Sequence, residues 1–256
     1  MKLSIIGAGN MGGATAWGII NHHVINTDDL CLADPLSDSL EPFKQAGAHT
    51  TNNNLQAAEF ADIVILAVKP WLVETVLDEI EPSLPGKLLI SFAAGVSGAL
   101  LQRICPDTAI IRVIPNIAIR YASSVSFVAP FSTSQEQTAQ VTDLFARLGI
   151  VHTTDEQHLD AGMALASCGL ANAMRYVRAA TEGGVELGFR PDDARNIVVQ
   201  TLLGAATLLK QSNLHPEAAI DQVTTAGGTT IRGLNAMEHA GFSSAVIQGL
   251  KAAAGK

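Results

Sequence analysis

Up to residue 153 the chain alternates between two apolar patterns. Short runs rich in Ile, Val and Leu occupy residues 2–6 (KLSII), 30–33, 63–68, 88–92, 109–114 and 125–129. Runs of that length bounded by turn residues predict buried strands. Between them, residues 13–20, 37–46, 70–80, 97–104 and 134–148 read as helices, and a last short strand is expected near residues 150–153. Strands alternating with helices imply a mostly parallel sheet covered on both faces. Beyond Asp155 the strand pattern stops. Residues 158–187, 191–211, 215–223, 229–239 and 243–254 all predict helices, with Pro191 and Pro216 at helix starts, where the missing N–H costs nothing. The expected organisation is an α/β domain over residues 1–153 and an all-helical domain over residues 154–256.

Composition sharpens this picture. The chain is 48% hydrophobic and only 16% charged, and several late helices are apolar on more than one face. Such helices are expected to be buried between subunits. A net charge of −8 leaves no basic footprint for nucleic acid. No run reaches the roughly 18–20 apolar residues of a membrane span. Met1-Lys2 leads straight into the first strand, so no signal peptide is expected. Cys31, Cys105 and Cys168 lie far apart with no C-x-x-C, which suits reduced thiols in a cytoplasmic protein. No metal site is expected, since the adjacent His22-His23 pair suits a helix end better than a zinc site.

Candidate chemistry begins at the first strand. It runs into Gly7-Ala8-Gly9-Asn10-Met11-Gly12 and then into a helix, which is G-x-G-x-x-G in a strand–turn–helix context. Gly7 permits the turn, Gly9 lets backbone approach a pyrophosphate, and Gly12 allows close helix–strand packing. The second strand ends at Asp34, 22 residues past Gly12, where a carboxylate can accept hydrogen bonds from ribose hydroxyls. With no Arg in residues 34–41 to balance a 2′-phosphate, this favours NADH over NADPH. The alternative is that Asp34-Pro35 merely starts a turn and caps the next helix. The fold class expected is therefore a Rossmann-type doubly wound sheet followed by helices.

Three further loops follow strand ends, where open α/β sheets bind ligands: Val68-Lys69-Pro70, Ala93-Ala94-Gly95-Val96 and Ile114-Pro115-Asn116. Residues 224–238 read TTAGGTTIRGLNAME. Here Gly227-Gly228 lies between Thr225 and the pair Thr229-Thr230, at the start of a helix. Backbone N–H groups and hydroxyls converging at a helix N-terminus make a carboxylate or phosphate site. The alternative is an ordinary threonine-capped helix start.

These motifs, in this order and spacing, resemble the pyrroline-5-carboxylate reductase family over essentially the whole chain. The resemblance rests on residues 7–12, VKP at 68–70, SFAAGV at 91–96, RVIPN at 112–116 and above all TTAGGTTIRGLNAME. It implies NADH- or NADPH-dependent reduction of the cyclic imino acid 1-pyrroline-5-carboxylate to L-proline, the reducing step of proline biosynthesis. It further implies a homodimer, or a higher oligomer of dimers, joined through the helical domain. The resemblance places the site where the first domain of one subunit meets the helices of its partner. Residues 7–12, Asp34, Val68, Lys69, Pro70, Ala94, Gly95 and Asn116 are then expected to hold the cofactor. Asn116, Thr225, Gly227, Gly228, Thr229 and Thr230 would hold the substrate, with Thr225 and Thr230 the candidate catalytic hydroxyls. A protonated imine is already a good electrophile, so orientation supplies much of the rate and no nucleophile or strong base is required. The chain departs from the family at Ile114, at Ile117-Ala118-Ile119, at Ala226 and at residues 167–172. A reductase of another imine or ketone, and a non-catalytic dinucleotide-binding protein, are the other readings.

Overall fold

The computed structural model describes residues 1–255. In chain order the first part runs β1 (Leu3–Ile6), α1 (Asn10–Asn21), β2 (Leu30–Ala33), α2 (Ser37–Gln45), β3 (His49–Thr51), α3 (Asn54–Phe60), β4 (Ile63–Leu66) and α4 (Val73–Ile80). It continues through β5 (Leu88–Ser91), α5 (Gly98–Ile104), β6 (Ala109–Ile114), β7 (Ser124–Pro130), α6 (Gln135–Ala146), β8 (Gly149–Thr153) and α7 (Leu159–Gly162). Then follow α8 (Gly169–Glu186), α9 (Pro191–Ser212), α10 (Pro216–Gln222), α11 (Thr229–His239) and α12 (Phe242–Ala253).

The strands form one eight-stranded sheet in the order β3-β2-β1-β4-β5-β6-β7-β8. All pairs are parallel except β6 with β7. The first six strands of that order are the doubly wound dinucleotide-binding arrangement, and β1 beside β4 is its switch point, where ligands bind outside the strands' carboxyl ends. Alternation of side chains explains why the central strands are apolar throughout. Leu3, Ile5, Leu30, Leu32, Ile63 and Ile65 face a core built with Ile19 of α1, Phe43 of α2 and Phe145 of α6. Ile6, Cys31, Ala33, Val64 and Leu66 face the other core, with Ala57 of α3, Leu77 of α4 and Leu101 of α5.

Two elements go beyond those expected from the sequence. The edge strand β3 is His-Thr-Thr and is only partly covered. The short α3 is set instead by Asn53, whose side chain accepts from the Gln56 N–H. The single helix expected over residues 158–187 is broken into α7, a π-helical segment Met163–Cys168 and α8. The chain divides into two compact units, Met1–Ser167 and Cys168–Lys256. In the second, α8 and α9 lie side by side, with Gly184 so close to Ala194 that an added Cβ would lie 2.9 Å from the alanine methyl. Ala194 is the one buried side chain among the described residues of that unit. Among the described residues no helix is long and apolar enough to cross a membrane, and no group of His, Cys, Asp and Glu could hold a metal ion.

Candidate active site

The glycine-rich turn starts where β1 ends, as the Gly7 N–H donates to the Ala33 carbonyl at 2.8 Å. Gly7 has φ +100°, and an added Cβ would lie 2.9 Å from the Ala67 carbonyl oxygen. A Cβ on Gly12 would run into the Gly7 carbonyl oxygen, so these two glycines are dictated by the protein's own packing. Gly9 differs. It is the exposed N-cap of α1, and a Cβ there would meet no protein atom within 4 Å. No side chain caps α1 and its first turn has no acid. The N–H groups of residues 10–12 are thus free for an anion at the positive end of the helix, an arrangement that fits a dinucleotide pyrophosphate.

Asp34 faces this turn. One carboxylate oxygen accepts from the Ala8 N–H at 2.8 Å and the other from the Leu36 N–H at 3.0 Å. Leu36, not Asp34, occupies the N-cap of α2, where no side-chain cap bond forms, while the Asp34 bond to the Leu36 N–H starts the turn that leads into the helix. Asn52 supports the same corner: its amide donates to the Asp34 carbonyl at 2.8 Å, and its side-chain oxygen accepts from Ser37 Oγ at 3.2 Å. Beside it opens a polar cavity of about 490 Å³ lined by Pro35, Asn52, Asn53, Asn54, Leu55 and Glu79.

The other loops gather at the same sheet edge. Val68 Cγ1 would lie 3.2 Å from a Cβ on Gly7. Exposed Lys69 is the N-cap of a short 3₁₀ turn that begins at Pro70. The Ala67 N–H donates to the Ile6 carbonyl, and the Phe92 N–H to the Leu66 carbonyl, which carries the pairing past the strand ends. Gly95 is exposed at φ +73°, beside half-buried Ala94. Asn116 is buried, and its amide is committed to protein groups. Its side-chain oxygen accepts from the Ala118 N–H at 3.0 Å, and its nitrogen donates to the Ala166 carbonyl at 3.3 Å. Ser167 Oγ donates to the Pro115 carbonyl at 3.0 Å, so the loop after β6 is tied twice to the π-helical segment.

The threonine-glycine turn belongs to the second unit and is a tight turn by itself. The Gly228 N–H donates to the Thr225 carbonyl at 2.9 Å, and Gly227 has φ +70°. Gly228 is the N-cap of α11 and no side chain caps it, so the threonine-cap alternative is not realised. Thr225 Oγ1 lies 2.5 Å from where a Cβ on Gly228 would stand, so Gly228 cannot be enlarged without moving that hydroxyl. Thr225, Thr229 and Thr230 are exposed, and the first turn of α11 has no acid. This surface offers N–H groups and hydroxyls to a carboxylate.

Two of the three thiols are withdrawn from this chemistry by burial. Burial pushes the Cys31 thiol up to about 11. The Cys105 thiol is also pushed up to about 11, by burial first and then by the nearby charges of Glu81 and Asp78. Both are inert as nucleophiles at neutral pH. Pattern reading missed three participants: Asn52, Ser167, and Glu156, which pairs with Arg112 at 2.6 Å. Asn52 sits in a polar run without periodicity, and Ser167 is a single hydroxyl in an apolar stretch. Arg112 stood inside a quoted motif, but its partner lies 44 residues away.

Comparison with known proteins agrees with this geometry. A family described as pyrroline-5-carboxylate reductase dimerisation matches residues 156–256. One described as NADP oxidoreductase, coenzyme F420-dependent, matches residues 2–95. Pyrroline-5-carboxylate reductase 1 of Dictyostelium discoideum is 37% identical over 97% of this chain, which spans about half (48%) of that relative's length. Pyrroline-5-carboxylate reductase 2 of the same organism is 35% identical over 100% of this chain and 91% of its own. The NADP-bound crystal structure of Plasmodium falciparum pyrroline carboxylate reductase superposes with a TM-score of 0.92 at 28% identity, covering 99% of this chain and 95% of that one. The 1-pyrroline-5-carboxylate reductase of Streptococcus pyogenes gives 0.86 at 31% identity, covering 100% and 99%. Full-length relatives above 30% identity, and a glycine turn and threonine turn built as described, leave one assignment: the chain belongs to the pyrroline-5-carboxylate reductase family.

Proposed function

We propose that this protein reduces 1-pyrroline-5-carboxylate to L-proline with a nicotinamide cofactor, as a homodimer joined through its helical domain. The observation that carries the reading is the pair of uncapped helix N-termini, α1 behind Gly9 and α11 behind Gly228. One suits a pyrophosphate and the other a substrate carboxylate.

Residues 7–12 hold the pyrophosphate and Asp34 the adenosine ribose. Val68, Lys69, Pro70, Ala94 and Gly95 line the nicotinamide side, and Asn116 fixes the loop there through its own hydrogen bonds. When bound, a reduced nicotinamide supplies the hydride. The Gly227, Gly228, Thr229 and Thr230 backbone and the Thr225 and Thr230 hydroxyls hold the carboxylate and orient the ring. The imine arrives protonated, its carbon accepts the hydride, and its nitrogen keeps the proton as the amine of proline. Asp34 favours NADH, since a 2′-phosphate would meet its charge with no Arg in residues 34–41. The helical domain is taken as residues 154–256, and the work is done in the cytoplasm.

The test follows oxidation of NADH and NADPH with pyrroline-5-carboxylate, its six-membered homologue and simple ketones. The five-membered imino acid with NADH is expected to give the highest kcat/KM. A better ketone or six-membered substrate would overturn the substrate assignment. A tenfold or greater preference for NADPH would overturn the role given to Asp34.

A further inference from the structure

We infer that Arg112 and Glu156 are positioning residues that clamp both ends of the loop at residues 93–98, and so fix the backbone that meets the nicotinamide. The inference rests on the proposed role of Ala94 and Gly95 in the cofactor site.

Arg112 stands on β6 opposite Ser91 of β5, and is only 5% exposed. Its Nη2 donates to the Ala93 carbonyl at 3.3 Å, at the start of the loop. Its Nη1 meets Glu156 Oε1 at 2.6 Å. That same oxygen accepts the Gly98 N–H at 2.6 Å, at the end of the loop and the start of α5. One charge pair therefore holds a carbonyl and an amide five residues apart. Between these anchors Ser97 caps α5 through the Leu100 N–H, and the Ala94-Gly95 tip is left outward. Gly98 leaves no slack, because a Cβ there would run into the Phe131 ring.

The chemistry of the pair argues for position over stability. The buried Arg112 guanidinium loses hydration that its half-exposed partner only partly restores. Here the Arg112 Nε–H is also buried without a partner, which adds cost. Two guanidinium bonds from one planar group to two acceptors, the Glu156 carboxylate and the Ala93 carbonyl, set a direction as well as a distance, which an apolar contact does not. Hydride transfer depends steeply on that kind of placement.

The experiment compares wild type, Glu156→Gln and Glu156→Ala as full-length protein. Glu156 is the better site to vary, since its side chain is 33% exposed and folding should survive. Gln keeps an acceptor for the Gly98 N–H, while Ala removes it. All three should bind NADH with Kd values within about threefold, because the pyrophosphate turn is untouched. Glu156→Ala should lower kcat about tenfold or more with KM for the imino acid nearly constant, as expected for a misplaced reactant. The isotope effect with 4-deuterated NADH should rise, the emission anisotropy of bound NADH should fall, and Gln should largely restore all three. A Glu156→Ala protein with unchanged kcat, isotope effect and anisotropy overturns the clamp, whatever its melting temperature. Loss of NADH binding overturns it too, since the pair would then serve affinity. If wild type reduces no imino acid, the proposed function fails, and the NADH anisotropy still decides the clamp.

Discussion

The two units of this chain solve the same problem in opposite ways. In Met1–Ser167 both faces of the sheet are covered, and side chains such as Leu32, Ile65 and Leu77 are completely buried. In Cys168–Lys256 the helices are as regular, yet among the described residues only Ala194 is buried. Tyr176, Leu203, Leu208, Phe242 and Ile247 stay exposed. Apolar surface on that scale marks a surface meant to be covered. The first unit closes its own core within one chain, whereas the helices of the second leave theirs to be covered, as the proposed dimer would do.

The largest expected effect tests that contrast directly. Val246 is 43% exposed and lines an apolar groove of about 770 Å³ with Tyr176, Leu202, Met237 and Phe242. Val246→Asp would appear twice in a two-fold dimer, and each unpaired carboxylate would cost several kcal/mol to bury. We expect a monomer at micromolar concentration by light scattering, with reductase activity reduced on the order of a thousandfold or more. Val246→Leu should stay dimeric and active. A Val246→Asp protein that remains a fully active dimer would break the comparison.

How much of this was legible in the sequence follows from which forces leave a periodic trace. The strands of the cofactor half announced themselves because burial on both faces makes them continuously apolar. The edge strand β3 did not, since His49, Thr50 and Thr51 lack a core to face. The helices beyond Asp155 were legible as helices, but the π-helical segment at Met163–Cys168 was not. Its wide turn meets the loop after β6, where Asn116 donates to the Ala166 carbonyl and Ser167 donates to the Pro115 carbonyl, contacts that spacing cannot reveal. The glycine turn and the threonine turn were legible as motifs because φ > 0 and close approach demand glycine. The Arg112–Glu156 pair joins distant positions, so only the fold discloses it.

A smaller effect separates the ligand from the fold within one motif. Gly9 has φ −67°, which alanine also adopts, and open space where a methyl would go. Gly9→Ala should melt within a few degrees of wild type, since the loss is confined to one N-cap. The methyl would stand where a pyrophosphate approaches. Losing two hydrogen bonds to a charged group costs about 3–6 kcal/mol, so the NADH Kd should rise about a hundredfold or more. Gly12→Ala should instead lower the melting temperature strongly, because its methyl meets the Gly7 carbonyl. Equal melting losses in both variants would mean that Gly9 is structural as well.

The smallest effect probes the helical half by itself. Thr230 is exposed in the first turn of α11, and Gly228 already occupies the N-cap, so its hydroxyl is not needed to start the helix. Thr230→Val keeps the branched shape and should leave folding intact. If the hydroxyl holds the substrate carboxylate, its loss removes a bond worth about 1.5–3 kcal/mol. The expected fall in kcat/KM is about 10- to 100-fold. NADH affinity, read by fluorescence, should hardly change if the cofactor sits, as proposed, on residues 7–12 of the other unit. A variant with wild-type kcat/KM would reduce Thr230 to a bystander of the helix start. A variant that loses NADH binding would show that the two turns had been given each other's ligands.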